Sequence, residues 1–230
     1  MLLAARNGFA VKKRFTAKDY IQDGLIAMWD GIENAGWGVH DANATVWKDL
    51  VGNQSARMSN MLVTDNSMRA NLNTARITMP ASLVDFYVRL QPTGSISSEC
   101  VIHKTGTYGT ADFVWGLCRN WNVQYGIISY ASGIAVYVKS SHAIGNVNYA
   151  TISVIANNTQ MSAYKNGVIS ASWSDVIDNS SINSFSIFGN AWGGTCLKGE
   201  MFNIRFYSRA LTADEIAHNY SIDKARFNLP

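Results

Sequence analysis

The sequence predicts an all-β protein, a two-sheet antiparallel jelly-roll sandwich with one short C-terminal helix. Short segments of alternating apolar and polar residues recur between residues 25 and 207, and turn-forming Gly, Asn, Ser and Asp residues separate them. Helical spacing is scarce over the same stretch. Strands of this length, with turns at this interval, are typical of two-layer β-sandwiches.

The predicted strands follow one another with little intervening sequence. In chain order they are residues 25–29, 76–79, 86–90, 101–104, 113–118, 124–130, 134–138, 150–156, 161–165, 168–173, 185–188 and 199–207. The clearest hairpin joins the strands at 161–165 and 168–173 through Asn166 and Gly167. An Asn-Gly pair readily adopts the two positive φ angles of a type I′ turn.

The last strand alternates cleanly. Phe202, Ile204 and Phe206 share one face, which we assign to the core, and Arg205 lies on the opposite face, where it is expected to brace neighbouring strands. A helix follows, because Thr212 and Glu215 have the spacing of a capping box. The apolar pattern after it predicts about two turns.

Composition restricts the class of protein. The chain has 230 residues, of which 47% are hydrophobic and 15% charged, as expected for a domain with a large core. The sequence contains no apolar run of about 18 residues, so we expect no membrane insertion. Its three Cys residues have no metal-binding spacing and predict neither a disulfide framework nor a zinc finger.

Charge divides the chain into two parts. Residues 1–18 contain five basic residues and no acid, although the whole chain carries a net charge of only +3. We therefore predict a basic N-terminal arm at 1–22 and a folded domain at 23–230. The arm is expected to attach to an acidic surface of another protein or of a second copy, and the slightly acidic body is not expected to bind nucleic acid.

Four segments together resemble laminin-G-like, concanavalin-A-like jelly-roll domains. They are residues 24–29 (GLIAMW), 47–53 (WKDLVGN), 164–167 (YKNG) and 197–220 (LKGEMFNIRFYSRALTADEIAHNY). The resemblance covers roughly residues 24–220 and implies the sandwich fold. It leaves function open, because this fold serves lectin modules, structural domains, virion proteins and glycosidases.

Two further segments resemble laminin-G-type domains of phages and prophages of gut bacteria. These are residues 18–24 (KDYIQDG) and 220–228 (YSIDKARFN). The resemblance implies a virion surface or decoration protein that is assembled in the host cytoplasm beside other virion proteins. This fits an N-terminus in which the basic cluster follows the short apolar stretch, unlike a secretory signal. The alternative is a carbohydrate-binding module of a secreted bacterial protein.

A glycosidase is a more distant alternative. Glycoside hydrolysis requires two carboxyl groups about 5 to 9 Å apart. The chain has four Glu residues, at 33, 99, 200 and 215, and they form no paired strand motif. Glu200 stands alone on its strand and Glu215 belongs to the capping box. We therefore expect no enzymatic activity, although Asp residues from distant loops could converge.

Two Trp residues occur in turn-like stretches flanked by amide side chains. Trp121 precedes Asn122, and Trp192 follows Asn190 with one residue between them. An indole ring beside amides suits a sugar, whose C–H face can stack on the ring while its hydroxyls bond to the amides. These four residues are therefore predicted to bind a cell-surface glycan. In the alternative interpretation each Trp is a hydrophobic lid on the sandwich.

We expect no cofactor apart from a structural calcium ion. Asp49 and Asn53 lie in the turn at 47–53 and offer oxygen ligands, as do Asp175 and Asp178 in a later loop. The alternative is that such residues accept hydrogen bonds from their own backbone, which is common in turns.

Overall fold

A computed structural model gives the architecture of the chain. It describes residues 14–70, 72, 74–79, 95–107, 111–119, 122–130, 133–138, 140–145, 148–156, 159–174, 184–187 and 197–230. These residues form two antiparallel sheets and one C-terminal helix, which confirms the predicted sandwich.

The first sheet, which we call the helix-side sheet, has eight strands. Seven of them lie in the order β14-β13-β12-β7-β16-β5-β4, and β1 also pairs with β16. The bounds are β1 Leu25–Asp30, β4 Met61–Val63, β5 Met68–Ala70, β7 Ile96–Thr107, β12 Tyr149–Ala156, β13 Met161–Lys165, β14 Val168–Trp173 and β16 Leu197–Tyr207.

The second sheet, the far sheet, also has eight strands, in the order β11-β10-β9-β8-β15-β6-β3-β2. The bounds are β2 Val46–Trp47, β3 Ala56–Ser59, β6 Arg76–Thr78, β8 Ala111–Arg119, β9 Asn122–Tyr130, β10 Gly133–Val138, β11 Ser140–Ala143 and β15 Ser184–Ile187.

The main core lies between the two sheets. Ile102 and Met201 enter it from the helix-side sheet, and Ile77, Ile127 and Ile187 enter it from the far sheet. All five side chains are essentially buried. Apolar side chains from both sheets therefore hold the fold together.

Ile204 and Phe206 lie in this core as predicted, but the prediction for Phe202 is wrong. The pairing of β16 with β7 is irregular between Met201 and Asn203, and Phe202 packs on the outer face against Phe227 of the C-terminal helix.

Eleven of the twelve predicted strands coincide with strands of the structure, and the one at 86–90 lies outside the described residues. The prediction missed β2, β3, β4, β5 and β11. Each of these has only two to four residues, which is too short for alternation to stand out. The hairpin is confirmed, because Asn166 (φ 52°) and Gly167 (φ 78°) both have the positive φ of a type I′ turn.

The C-terminal helix α1, Ala213–Phe227, is longer than the predicted two turns. Its start is confirmed, since Thr212 and Glu215 form the capping box. The prediction failed at the other end because Asp223 and Arg226 point inward and bind carboxylate or guanidinium partners in the fold. Charged residues on the inner face hide the apolar periodicity on which the estimate of length depended.

The structure describes residues 14–22 of the predicted arm. Within the predicted arm, Ala17 and Tyr20 are buried in a second cluster beside the sheet, between α1 and β1. The backbone N–H of Ile21 donates to Asn219 of α1 at 2.9 Å. Residues 14–22 thus pack on the folded domain, while residues 1–13 lie outside the described residues. No helix among the described residues is long and apolar enough to cross a membrane.

Candidate functional site

Four polar residues form a continuous row across the outer face of the helix-side sheet. Glu200 on β16 lies opposite Arg69 on β5 and also opposite His103 on β7, and His103 lies opposite Tyr149 on β12. Cross-strand neighbours on one face have closely spaced side chains. We call these four residues, Arg69, Glu200, His103 and Tyr149, the open row.

The alternation of the strands directs this row away from the core. Met201, Ile102 and Ala70 are the next residues along β16, β7 and β5, and all three are in the main core. Close approach of β16 and β7 is required at this point, because a Cβ added to Gly199 would lie 2.1 Å from the carbonyl oxygen of His103. Glycine at position 199 therefore lets the two strands meet beside Glu200.

Glu200 is the charge at the centre of the row. Its Oε1 accepts hydrogen bonds from Arg69 Nε (2.7 Å) and Ser67 Oγ (3.2 Å), and its Oε2 lies 3.2 Å from His103 Nδ1. Burial by itself would raise the pKa of Glu200, but the hydrogen bonds from Arg69, His103 and Ser67 outweigh it and lower the pKa. The carboxylate is therefore held in its ionised form.

Aromatic rings continue the row toward the end of α1. The His103 and Tyr149 ring centroids are 4.9 Å apart, those of Tyr149 and Phe202 are 5.2 Å apart, and those of Phe202 and Phe227 are 5.4 Å apart. The Tyr149 hydroxyl donates to the carbonyl of Phe227. Burial and the nearby charge of Glu200 raise the pKa of Tyr149 to about 12, so its phenol stays protonated. The Tyr149 ring therefore packs against the His103 ring and helps to hold it in place.

The open row lines a groove of about 420 Å³. The Arg69 side chain is 45% exposed and that of His103 is 36% exposed, whereas that of Glu200 is 11% exposed. Asp65 and Asn66 add further polar groups to the wall. The groove therefore has a fixed carboxylate at its base and accessible hydrogen-bonding groups at its rim, an arrangement suited to a hydroxyl-rich ligand.

A second polar row crosses the same face of the sheet under α1. Arg205 lies opposite Glu99, which lies opposite Ser153. We call these three residues the closed row. The Arg205 Nε donates to Glu99 at 3.1 Å, and Ser153 Oγ donates to the same carboxylate at 2.7 Å. As predicted, Arg205 faces away from the main core and braces a neighbouring strand, but it is also completely buried.

Helix α1 and the N-terminal segment seal the closed row. Arg205 makes two hydrogen bonds to Asp223 of α1, at 2.7 and 2.8 Å, and the Tyr20 hydroxyl donates to the same carboxylate at 2.7 Å. Burial raises the pKa of Glu99, and the Arg205 charge offsets part of this increase. The pKa of Arg205 is raised well above its ordinary value: burial would lower it, but the carboxylates of Asp223 and Glu99 outweigh that effect.

The predicted glycan-binding residues cannot be placed together. Trp121, Asn190 and Trp192 lie outside the described residues, and Asn122 is the first residue of β9. Their predicted role stays a prediction. Among the other Trp residues whose side chains the structure describes, Trp29 and Trp47 are fully buried, and Trp37 is 37% exposed.

The predicted calcium ligands have a defined place in the fold. Asp49 Oδ1 accepts hydrogen bonds from the backbone N–H groups of Met28 (2.9 Å) and Val51 (3.0 Å), and Oδ2 accepts one from Gly52 (3.1 Å). This is the alternative role considered for Asp49, while Asn53 is exposed. Asp175 and Asp178 lie outside the described residues. In the part of the chain that the structure describes, no three His, Cys, Asp or Glu residues form a group that could hold a metal ion.

The sequence did not reveal the open row. Glu200 was interpreted as standing alone, because its partners Arg69 and His103 lie about 131 and 97 residues away in the chain. One local signal was present at Arg69, a single polar residue between the core residues Met68 and Ala70 of a three-residue strand. Without the register of the strands, that signal does not pair Arg69 with Glu200.

No protein-family model matches the chain, and no curated protein matches its sequence. Similar solved structures exist. A mutant of Trypanosoma rangeli sialidase with trans-sialidase activity has a TM-score of 0.69 and 15% identity, over 88% of this chain and 33% of the sialidase. The chain thus spans about a third of the length of that enzyme.

Two other structures resemble the chain over a larger share of their own length. Domain 4 of AbnA, an extracellular GH43 arabinanase from Geobacillus stearothermophilus solved with arabinotriose, has a TM-score of 0.62 and 15% identity, over 85% of this chain and 98% of that domain. Botulinum neurotoxin type C, whose cell entry depends on two ganglioside molecules, has a TM-score of 0.62 and 11% identity, over 86% of this chain and 51% of the toxin chain. At these identities the similarity establishes the β-sandwich fold.

Proposed function

We propose that this protein is a non-catalytic, lectin-like domain that binds glycans through the open row. The observation that carries the proposal is the Glu200 carboxylate, which is held ionised at the base of a groove between the partly exposed Arg69 and His103 side chains. Glycan sites combine a few fixed polar groups with an apolar or aromatic surface.

Each group in the groove has a role in this proposal. The Glu200 oxygens accept hydrogen bonds from sugar hydroxyls, and the exposed part of the Arg69 guanidinium donates to ring or hydroxyl oxygens. The outer face of the His103 ring is the surface on which a pyranose or furanose packs. Because Arg69, Ser67 and the aromatic stack already fix Glu200 and His103, the site loses little entropy on binding.

The structural neighbours give this proposal independent support. The arabinanase domain was solved with arabinotriose, and the toxin interacts with gangliosides. The sandwich of this chain therefore has the architecture of proteins that contact sugars. Similarity of fold alone does not transfer a ligand, so the groove chemistry has to carry the proposal.

The absence of catalysis is part of the proposal. A glycosidase of the usual kind needs one carboxylic acid with a raised pKa that protonates the leaving oxygen. The pKa of Glu200 is lowered, which does not suit that role. We expect no reducing sugar above buffer when the protein is incubated with β-glucans, galactans, arabinans or sialylated oligosaccharides. Turnover that a single Glu→Gln or Asp→Asn substitution abolishes would contradict this part of the proposal.

A glycan array that includes arabinotriose and ganglioside oligosaccharides tests the binding. The strongest ligand is then titrated into the wild type, Glu200→Gln and the control Asp214→Asn, which changes an exposed carboxylate on α1. We expect Glu200→Gln to lose about tenfold or more in affinity, the usual effect of losing a charge-assisted hydrogen bond. Equal affinity in all three folded proteins would place binding elsewhere, and no ligand on the array would refute the proposal.

We further propose that the domain is displayed on a phage-type virion. Its support is the resemblance of residues 18–24 and 220–228 to phage-borne domains. These two segments contact each other in the fold, since Tyr20 bonds to Asp223. Immunogold labelling of purified particles tests the location, and capsid or tail genes beside the coding sequence would support it. Polysaccharide-utilisation genes in that position would instead favour the carbohydrate-binding module of a secreted protein.

A further inference from the structure

A second concave region lies on the other side of the C-terminal end of α1. It is a cavity of about 800 Å³ between the N-terminal segment, the loop after β1 and the last turn of the helix. Asn228 lines both this cavity and the groove of the open row. We call it the basic cavity, because Arg14, Lys224 and Arg226 all contribute to its wall.

The acidic groups at this cavity are already occupied. Glu33 Oε1 accepts hydrogen bonds from the backbone N–H of Ala17 (2.9 Å) and from Arg226 (3.1 Å), and its Oε2 accepts one from the N–H of Gly38 (2.8 Å). Arg226 also binds both oxygens of Asp30, at 2.8 and 3.0 Å. The charge of Arg226 is therefore compensated within the fold by two carboxylates, Asp30 and Glu33.

Arg14 and Lys224 are the two cations of the wall that have no Asp or Glu partner among the described residues. Both are exposed. Lys224 Nζ donates to the backbone oxygen of Pro230 at 3.3 Å, and no Asp or Glu side chain is paired with it in the part of the chain that the structure describes. Nearby, Lys18 Nζ lies 5.4 Å from the centre of the exposed Trp37 ring. A cavity with surplus positive charge raises the local concentration of anions.

The other lining groups narrow the class of anion. Thr16, His40 and Asn228 provide hydroxyl, imidazole and amide groups, and Phe15 and Ile32 provide apolar surface. Trp37, next to the lining residue Gly38, is partly exposed and carries Lys18 Nζ over its ring. Cationic anchors together with neutral hydrogen-bonding groups and apolar surface suit a sugar that carries a carboxylate.

We propose that the basic cavity binds an acidic sugar, such as a uronic or sialic acid, at a site separate from the open row. The carboxylate pairs with Arg14 and Lys224, and the hydroxyls bond to the neutral groups of the wall. The inference does not rest on the function proposed for the open row. The residues that precede Arg14 are a poor occupant, since 1–13 contain basic residues and no acid.

The probes are glucuronic acid and N-acetylneuraminic acid, with glucose and N-acetylglucosamine as neutral controls, titrated into the full-length protein at constant ionic strength. We expect the acids to bind and the neutral sugars not to bind. Arg14→Gln and Lys224→Gln should each lower the affinity for the two acidic sugars about tenfold. The control Arg57→Gln, which removes an exposed cation from β3 of the far sheet, should leave the affinity unchanged.

Three results would overturn the inference. One is equal binding of acidic and neutral sugars. Another is equal binding of the acids by wild type, Arg14→Gln and Lys224→Gln, with folding checked by circular dichroism. The third is displacement of the acids by an equal concentration of sulfate, which would show a simple anion site. The Glu200→Gln variant separates the two proposals. It should lower the affinity for the ligand of the open row and leave the affinity for the acidic sugars at the basic cavity unchanged.

Discussion

The open row and the closed row lie on the same face of one sheet and share strands β7, β12 and β16. Both have a Glu and an Arg at opposing cross-strand positions. Their surroundings differ. The Arg205 and Glu99 side chains are 0% exposed under α1 and the N-terminal segment, whereas Arg69 is 45% exposed in a groove.

This difference shows that the role of an Arg–Glu pair depends on whether other elements bury it, and not on the residue types alone. Under the helix, every charge has a partner, and the pair joins three parts of the chain: the sheet, α1 through Asp223, and the N-terminal segment through Tyr20. Removing one member leaves buried charge without compensation. In the groove the same chemistry faces solvent, adds little to stability and is accessible to a ligand.

The largest effect is expected in the closed row. Arg205→Met keeps much of the side-chain volume but leaves Glu99 and Asp223 buried without their cation. We expect a loss of about 3 to 5 kcal/mol in the free energy of unfolding. Urea denaturation followed by circular dichroism measures it. A variant as stable as the wild type would show that these charges do not hold the fold.

Tyr20→Phe tests whether the N-terminal segment contributes to the closed row. The substitution removes the hydroxyl that donates to Asp223 and keeps the ring that packs on Arg205, whose Cζ lies 4.1 Å from the ring centre. A hydrogen bond to a charged group contributes about 1.5 to 3 kcal/mol, and we expect a loss in that range. The measurement is again urea denaturation. An unchanged midpoint would restore the view of residues 14–22 as an independent arm.

Arg69→Met is the counterpart of Arg205→Met in the open row. Because Arg69 is partly exposed, we expect a loss of about 1 kcal/mol or less. Ligand affinity should fall in the same variant, since the rim donor is gone. If Arg69→Met proves as damaging to stability as Arg205→Met, the two rows do not differ in the way described here.

The smallest effect is a difference in the sign of pH dependence. The pKa of Glu200 is lowered from its ordinary value of 4.5, so its stabilising contribution is present above that pH and is lost as the pH falls below it. The pKa of Glu99 is raised, so its contribution to stability decreases as the pH rises above 4.5.

Stability curves of wild type, Glu200→Gln and Glu99→Gln between pH 3 and 8 would reveal these signs. On acidification, the advantage of the wild type over Glu200→Gln should shrink below about pH 4.5. Its stability relative to Glu99→Gln should increase as the pH is lowered toward that value. If the stability difference between wild type and variant changed with pH in the same direction for both variants, the environments assigned to Glu200 and Glu99 would be contradicted.

The sequence alone predicted the sandwich and much of its detail. Alternation in β16 holds for Ile204 and Phe206 but fails at Phe202, because the strand pairing is irregular between Met201 and Asn203. The Asn166-Gly167 turn and the capping box of Thr212 and Glu215 are local patterns, and the structure confirms both of them. Such patterns depend on residues close together in the chain. They were therefore visible without knowledge of how the strands pair.

What the sequence could not show depends on pairing at long range. The open row exists only because β16 lies between β5 and β7, and no local pattern fixes that order. The second half of α1 was missed because Asp223 and Arg226 face inward toward partners on distant segments. In both cases buried or half-buried charged residues depart from the rule that polar residues face solvent.

Mapping a bound ligand on the unmodified protein tests the central claim most directly. The strongest glycan from the array is added to isotope-labelled protein, and NMR follows the backbone amides together with the His103 imidazole. We predict that shifts concentrate at Arg69, Glu200, His103 and Tyr149, while Glu99 and Arg205 stay unperturbed. Shifts confined to other parts of the molecule, with the His103 signals unchanged at saturation, would contradict the assignment of binding to the open row.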